Sequence, residues 1–442
     1  MTQTSIGICL LGCGVVGGGV VRLLREQHDL LLRRTGLHFD IRHVVVRDVA
    51  KHATGQADLP YTNDADRAID DPAVQIVVEV MGGHQPAGSY IERALKLGKH
   101  VVTANKSLLS ERGPELFALA RQHGACIAFE ASTGGGIPII EAISRGLIAN
   151  RIDALVGIVN GTCNVILTRM TRNGWSYQEA LAEAQKLGFA EADPTLDVSG
   201  RDAAQKLALL SSLAFNARVS EKDIQIEGVQ DLQAADIKFA GDLGYVIKLL
   251  AIAERDADGR LALRVHPTLV HNTDVLAEVS GPFNAISVFG HALGHALFYG
   301  RGAGQMPTAS AVVADLVQTA IGVVPLVFKR LNIFPDSAEP AEILPPDSVT
   351  SRYYLRLSVK DQPGVMGSVS QVLGQHGISI SAILQHEVAE DADGVPTVPI
   401  VITTHRSQEG AVRASLKQID ALATVRAPSV CLRIIDQPKE FA

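Results

Sequence analysis

Apolar positions recur along this chain with changing periods, and the changes mark its organisation. Ser5 to Leu11 is a continuous apolar run of strand length. A glycine-rich turn, Gly12 to Gly17, follows it directly. Val20, Val21, Leu23, Leu24, Leu30 and Leu31 then recur at helical spacing. Further strands are predicted at Phe39–Val46, Val74–Val80, His100–Thr103 and Ala125–Glu130. Helices are predicted at Tyr90–Leu97 and Glu115–His123, stopped by Gly98 and Gly124. Strands alternating with helices over 130 residues imply a parallel sheet covered on both faces.

Beyond Gly134-Gly135-Gly136 the texture changes. Helical patterns lie at Tyr177–Leu187, Asp202–Phe215 and Leu243–Ala253, with strand-like runs at Ala154–Val159, Leu261–Val270 and Ala285–Val288. The segment reads as α+β as far as Gly304. A helix over Thr308–Leu326 is expected to pack back on the first unit. Residues 332–350 hold four prolines and no periodicity, so they read as a linker. Strands at Tyr353–Val359, Ile378–Glu387, Val398–Thr404 and Thr424–Ile435 enclose helices at Val365–Gln375 and Gln408–Ala421. That order, βαββαβ, is the ferredoxin-like pattern. The expected domains are 1–135 with 305–331 returning to it, 136–304, the linker 332–350, and 351–442.

Composition narrows the function. Forty Lys and Arg against 47 Asp and Glu leave a formal charge of −7. Nucleic-acid binding and polybasic membrane attachment need clustered positive charge, and both are set aside. Five scattered cysteines form no CxxC pair, so neither a zinc knuckle nor a disulfide framework is expected. A reducing compartment fits best. The first 21 residues carry no charged side chain and no basic segment precedes the apolar run, so a cytoplasmic protein is expected rather than a secreted one.

The turn Gly12-Cys13-Gly14-Val15-Val16-Gly17 is GxGxxG in its required setting, after a strand and at the start of a helix. Glycine lets backbone approach a pyrophosphate, and the helix N-terminus favours its charge. An N-terminal Rossmann dinucleotide-binding domain follows. At the end of the second strand stand Arg47 and Asp48. An arginine there suits the 2′-phosphate of NADP and an acid the ribose of NAD. Arg47 comes first, which favours NADP, with a solvated strand-end charge as the lesser alternative. In the stretch Leu187 to Lys206, Asp202 and Lys206 lie four apart on one helical face. They suit a proton-transfer pair at the edge of an apolar face, and equally an ordinary surface ion pair. Spacing alone does not choose.

The segments Asn160-Gly161-Thr162-Cys163-Asn164, Gly188 to Lys206, and Gly302-Ala303-Gly304 with Pro307-Thr308 resemble signatures of the homoserine dehydrogenase family, in the form ending in an ACT domain. The resemblance covers the whole chain. It implies reduction of L-aspartate 4-semialdehyde to L-homoserine by NADP or NAD, in a homo-oligomer, dimer or tetramer. The middle domain would then be catalytic and oligomerising, and the last an ACT domain. Lys206 matches the family's proton-transfer lysine and Lys106 a second lysine near substrate and nicotinamide. Glu191 and Asp202 match substrate-holding acids, with Asp197 a further acid of that site. Gly12, Gly14, Val15, Val16, Gly17 and Gly82 match the cofactor cradle, and Gly188 and Gly302 close on it. Glu130, Thr133, Gly135 and Ile137 match a loop holding a monovalent cation such as sodium through main-chain oxygens.

Cys163 departs from the family, standing where threonine is common, and it reads as a small buried residue. The turn Asp361 to Met366 matches ACT domains that bind amino acids, and L-threonine is the effector implied. Two alternatives remain. One is a non-catalytic amino-acid sensor, for which the lysines and acids have no use. The other is an NADP-dependent aldehyde dehydrogenase with a catalytic cysteine, for which no histidine partner is evident.

Overall fold

The computed structural model describes residues 4–53, 58–385 and 397–436. The chain forms two compact units, each assembled from three separated stretches. The first holds Met1–Leu155, Asp202–Ile224 and Pro282–Ala341; the second holds Val156–Arg201, Gln225–Gly281 and Glu342–Ala442.

The first unit is built on a six-stranded parallel sheet. Its strands are β1 (Thr4–Leu11), β2 (Leu37–Val45), β3 (Tyr61–Thr62), β4 (Ile76–Glu79), β5 (His100–Thr103) and β6 (Ile127–Ala128), in the spatial order β3-β2-β1-β4-β5-β6. The order reverses between β1 and β4, where open α/β sheets bind ligands beyond the strand ends. Ile8, Leu10, Val44, Val78 and Val102 meet Val20, Val21 and Leu24 of the helix Val15–Glu26 in one core. Ala309, Val312, Val313 and Leu316, from nearly 300 residues on, complete it. Gly19 allows the close approach: a Cβ there lies 2.8 Å from Cγ of Gln305 and 3.0 Å from Cβ of Ala309. An antiparallel hairpin, Phe283–Gly290 with Gly294–Arg301, also belongs to this unit.

Two expectations change here. The single helix over Thr308–Leu326 is two, Gln305–Ala320 and Val323–Arg330, bent by 77°. Gly322 takes the left-handed conformation at the break (φ 86°), which an L side chain resists. Phe328 is thereby turned against Phe117 and Phe334. Phe334 and Asp336 lie in the expected linker, yet Phe334 is buried and Asp336 Oδ2 accepts from Arg121 Nε at 2.5 Å. Composition showed turn-forming residues there, not this anchoring.

In the second unit, Asn160 caps the helix Gly161–Asn173 and Ser176 caps Tyr177–Lys186. The helix expected at Leu243–Ala253 is a strand, Tyr245–Arg255, paired antiparallel with Leu261–His271. Ile247 to Ala253 are all buried, so the run has no polar face to reveal a period of two. The strands Thr350–Lys360, Ile380–Gln385, Thr397–Thr404 and Val425–Ile434, with helices Val365–Gln375 and Glu409–Asp420, form the ferredoxin-like module. Its spatial order is fourth, first, third, second strand. His386 and Glu387, which end the expected strand Ile378–Glu387, lie outside the described residues. The module shares a sheet with its neighbours, because Thr268 and Leu269 pair in parallel with Arg433 and Ile434. Arg356 of its first strand grips Asp236, which is wholly buried, at 2.6 and 3.1 Å, and the Tyr354 hydroxyl donates to the same carboxylate at 3.1 Å. Among the described residues no single helix is long and apolar enough to cross a membrane.

Candidate functional site

The glycine turn after β1 is shaped by two contacts. Gly12 has φ 97°, which a side chain resists, and its N–H donates to Val45 O at 2.9 Å. A Cβ on Gly17 lies 2.2 Å from Gly12 O, so only glycine lets the helix start this close to the turn. Above Gly14 nothing lies within 4 Å, and Val15 at the helix start is 69% exposed. Open backbone at a helix N-terminus is what a pyrophosphate requires, so these residues fit a dinucleotide. Gly82, after β4, is also left-handed with open space above it.

A buried acid missed by the sequence reading arranges this edge. Glu79, the last residue of β4, accepts from the N–H groups of Met81 and Gly82 through Oε1 at 2.9 and 3.0 Å. Its Oε2 accepts from the Thr103 hydroxyl at 2.7 Å. Thr103 Oγ1 accepts in turn from Asn105 N at 3.0 Å. Asn105 donates to Gly83 O at 2.7 Å and caps the helix Lys106–Gln122 by accepting from Leu108 N at 3.2 Å. One network thus fixes the Gly82 turn and the position of Lys106 together. The available signal was an acid closing an otherwise apolar strand.

Lys106, Asp202 and Lys206 come together in the first unit. Lys206 Nζ donates to Asp202 Oδ2 at 2.7 Å, and Lys106 Nζ lies 3.1 Å from Asp202 Oδ1. One carboxylate therefore faces two ammonium groups, one on each oxygen. Asp202 and Lys206 are buried, whereas the Lys106 side chain is 28% exposed. The helix Arg201–Phe215 that carries two of the three is buried on nearly every face. A plain surface ion pair is excluded by that burial. Asp202, expected to hold substrate, is engaged by the two lysines.

Glu191, Gly188 and Asp197 belong to the second unit. Glu191 is exposed on the loop after Tyr177–Lys186, where Gln185 Nε2 donates to its carbonyl at 3.1 Å. Gly188 ends that helix with φ 75°. Asp197 Oδ1 accepts from Asn160 Nδ2 at 2.8 Å, and the buried Cys163 thiol donates to its carbonyl at 3.3 Å. Arg47 is exposed and makes no ion pair among the described residues, while Asp48 Oδ1 accepts from Lys51 N at 3.0 Å. Gly302 packs on the cation-type loop: a Cβ on Gly135 lies 2.6 Å from Gly302 O, and one on Gly302 lies 2.0 Å from Asn284 Nδ2.

The loop Glu130 to Ile137 carries two consecutive left-handed glycines, Gly134 and Gly135. Within it the buried hydroxyls of Ser132 and Thr133 have no hydrogen-bond partner. Oxygens turned inward without partners suit a hard monovalent cation, although the Glu130 and Ile137 carbonyls each already accept one backbone N–H. Beside it the Glu130 carboxyl is pushed up to about 7 by burial, against hydrogen bonds from Ile140 N and Glu141 N. Asp315, whose Oδ2 accepts from Glu130 N at 2.9 Å, is raised by burial and by Glu130.

Residues 12–130 match the NAD-binding domain of homoserine dehydrogenase, 138–317 the homoserine dehydrogenase domain, and 353–421 the ACT domain. Homoserine dehydrogenase of Pseudomonas aeruginosa is 43% identical over 438 residues, covering 98% of this chain and 99% of that one. That of Bacillus subtilis is 39% identical over 439 residues, covering 97% and 98%. The crystal structure of a homoserine dehydrogenase from Thiobacillus denitrificans superposes with a TM-score of 0.92 at 41% identity, over 98% of this chain and 99% of that one. The enzyme of S. aureus gives 0.74 at 32% identity over the same shares. With three domains matched in order, the chain belongs to the homoserine dehydrogenase family, oxidoreductases that interconvert L-aspartate 4-semialdehyde and L-homoserine with a nicotinamide cofactor.

Proposed function

We propose that Lys106, Asp202 and Lys206 are the proton-handling centre of this reaction, with Lys206 the group that protonates the product oxygen. The observation that carries this is the single buried carboxylate facing two lysines. A bound nicotinamide supplies the hydride to the aldehyde carbon. As that carbon becomes tetrahedral its oxygen takes on negative charge, which the Lys206 ammonium stabilises. Lys206 then gives its proton to the oxygen and forms the hydroxyl of homoserine. Asp202 holds both ammonium groups in place, and Lys106, the more exposed, returns a proton from solvent. In the reverse direction neutral Lys206 accepts the hydroxyl proton. The exposed carboxylate of Glu191 suits the substrate ammonium, and Asp197 holds the neighbouring loop through Asn160. Oxidation of NADPH with aspartate semialdehyde is the test. Lys206→Ala is expected to lower kcat at least about a hundredfold with its fold intact; near-normal turnover would move the role to Lys106.

Gly12, Gly14, Val15, Val16, Gly17 and Gly82 form the cofactor cradle in this reading, with Gly188 and Gly302 as further cofactor residues. NADP is the preferred cofactor. Asp48 spends its carboxylate capping the turn at Lys51, which leaves Arg47 for the 2′-phosphate. Arg47→Ala is expected to raise KM for NADPH and leave that for NADH nearly unchanged; equal effects would remove Arg47 from the phosphate. A monovalent cation such as sodium is held by main-chain oxygens of Glu130, Thr133, Gly135 and Ile137. The enzyme works as a homo-oligomer, dimer or tetramer. The exposed Leu297 and Tyr299 on strand Gly294–Arg301 suit an interface, and sedimentation checks it. L-Threonine is the effector, acting through the ACT domain.

A further inference from the structure

We infer that Glu227 is a positioning residue for the segment 195–200, tied by Arg433 to the ACT module, and that through this pair the state of the module acts on substrate affinity. Strand Leu261–His271 pairs with Tyr245–Arg255 along one edge. Its other edge takes two short partners in turn. Gln225 and Ile226 lie against Arg264 and Val265, then Arg433 and Ile434 against Thr268 and Leu269. Glu227 therefore emerges beside the module's last strand. The Arg433 guanidinium is buried and divides its donors. Nη1 donates to Glu227 Oε2, whereas Nη2 and Nε donate to the Glu409 carboxylate, Nε at 3.3 Å. The Tyr353 hydroxyl donates to Glu409 Oε2 at 2.8 Å. The module's first strand, second helix and last strand thus hold the arginine, and one of its nitrogens reaches out to Glu227.

From Glu227 the backbone packs without a gap onto the segment 195–200. Glu227 N donates to Val265 O at 2.8 Å, and Val229 N donates to Val198 O at 2.9 Å. A Cβ on Gly228 would overlap Val198 O and lie 2.9 Å from Ser199 Cα, so backbone meets backbone there. Gly200 is left-handed (φ 85°), and a Cβ on it would meet Ile226, Val265 and Glu227 O at 3.1 to 3.3 Å. The short helix Thr195–Val198 carries Asp197, whose Oδ1 accepts from Asn160 Nδ2. Interiors packed this closely transmit strain, so a displacement of Glu227 is passed to Asp197. The Glu227 side chain is 38% exposed, so the arginine holds it rather than burial. A charge-assisted arginine–carboxylate bond fixes direction as well as distance. The link to substrate rests on the roles proposed for Glu191 and Asp197; the contacts themselves do not.

Steady-state kinetics on the full chain, in the direction of homoserine oxidation, test this. Glu227→Ala removes the arginine's outer partner and keeps the pair of Arg433 with Glu409, so the fold should stand. Glu227→Gln restores an oxygen that accepts from Arg433. The expected result is a KM for L-homoserine raised at least about threefold in Glu227→Ala, with KM for NADP unchanged. Glu227→Gln should bring it back toward wild type. Any rise in that KM caused by L-threonine should shrink in Glu227→Ala, while calorimetry still shows threonine bound. A purely structural Glu227 would lower the melting temperature and leave the homoserine KM alone. An unchanged homoserine KM, a rise shared equally with NADP, or no recovery in Glu227→Gln overturns the inference. So does a threonine effect that persists in full. Two controls separate this link from the roles it rests on. If Asp197→Asn and Glu191→Gln leave the homoserine KM unchanged, the substrate roles fall and the link with them. If they raise it and Glu227→Ala does not, only the Glu227 link falls. A wild type indifferent to L-threonine overturns the regulatory half, and the homoserine KM then decides the positioning half.

Discussion

At the scale of single residues, the central arrangement is one acid shared by two bases. Because Lys106 and Lys206 use different oxygens of Asp202, removing either changes the surroundings of the other. Their effects on kcat should therefore not multiply. The loss in Lys106→Ala/Lys206→Ala is expected to fall well short of the product of the single losses, and independent sites would give that product. A second residue-scale expectation concerns Glu130. Burial lifts its carboxyl to about 7 from 4.5, so the native state binds the proton more tightly than the unfolded chain. The stability this contributes is complete below about pH 4.5 and is lost as pH rises through 7. The change is about 3 kcal/mol. Melting temperature should fall between pH 5 and pH 8, and Glu130→Gln should flatten that slope; an unchanged slope would assign the pH dependence to other groups. Asp202 and Lys206 were legible in the sequence because the period of one helix sets their spacing, whereas Lys106, on another helix, was reached only through the family resemblance. Glu79 was not, because its partners, Met81, Gly82 and Thr103, are fixed by the pairing of β4 with β5.

At the scale of elements, the glycine turn separates two demands that sequence presents as one motif. Gly17 is required by the protein itself, since its Cβ would strike Gly12 O, whereas a Cβ on Gly14 meets nothing. Gly17→Ala should therefore lower the melting temperature and weaken NADPH together. Gly14→Ala should leave stability near wild type and raise KM for NADPH at least about tenfold, because the added methyl stands where the pyrophosphate approaches. If both variants lose stability equally, the openness above Gly14 is not what the cofactor uses. The parallel sheet was readable because its strands are short apolar runs between glycine stops. The strand Tyr245–Arg255 was misread because Ile247 to Ala253 are buried throughout and offer no alternation. The bend at Gly322 was hidden for a related reason. Apolar residues continue across it, and only the left-handed backbone breaks the helix.

At the scale of the whole molecule, the prolines of 332–350 read as a linker, yet the module beyond them is tied into the second unit. The module's fourth strand continues the sheet through Thr268 and Leu269, and Arg356 neutralises the buried Asp236. Ending the chain at Pro346 takes away both, leaving strand Leu261–His271 without that neighbour and Asp236 without its arginine. An uncompensated buried charge costs roughly 3–5 kcal/mol, a large share of ordinary domain stability. Loss of threonine sensitivity on truncation would thus be confounded with loss of fold. Arg356→Ala isolates the electrostatic part. It should destabilise the full chain by about 3 kcal/mol or more, and Arg356→Met with Asp236→Leu and Tyr354→Phe should recover most of that loss, since apolar groups then replace the charge, its partner and the hydroxyl that donates to it. If the single variant melts within a degree or two of wild type, the module is held by its sheet pairing and packing alone. If that combined variant is stable and active but no longer responds to L-threonine, the buried cluster also carries the coupling between effector and turnover.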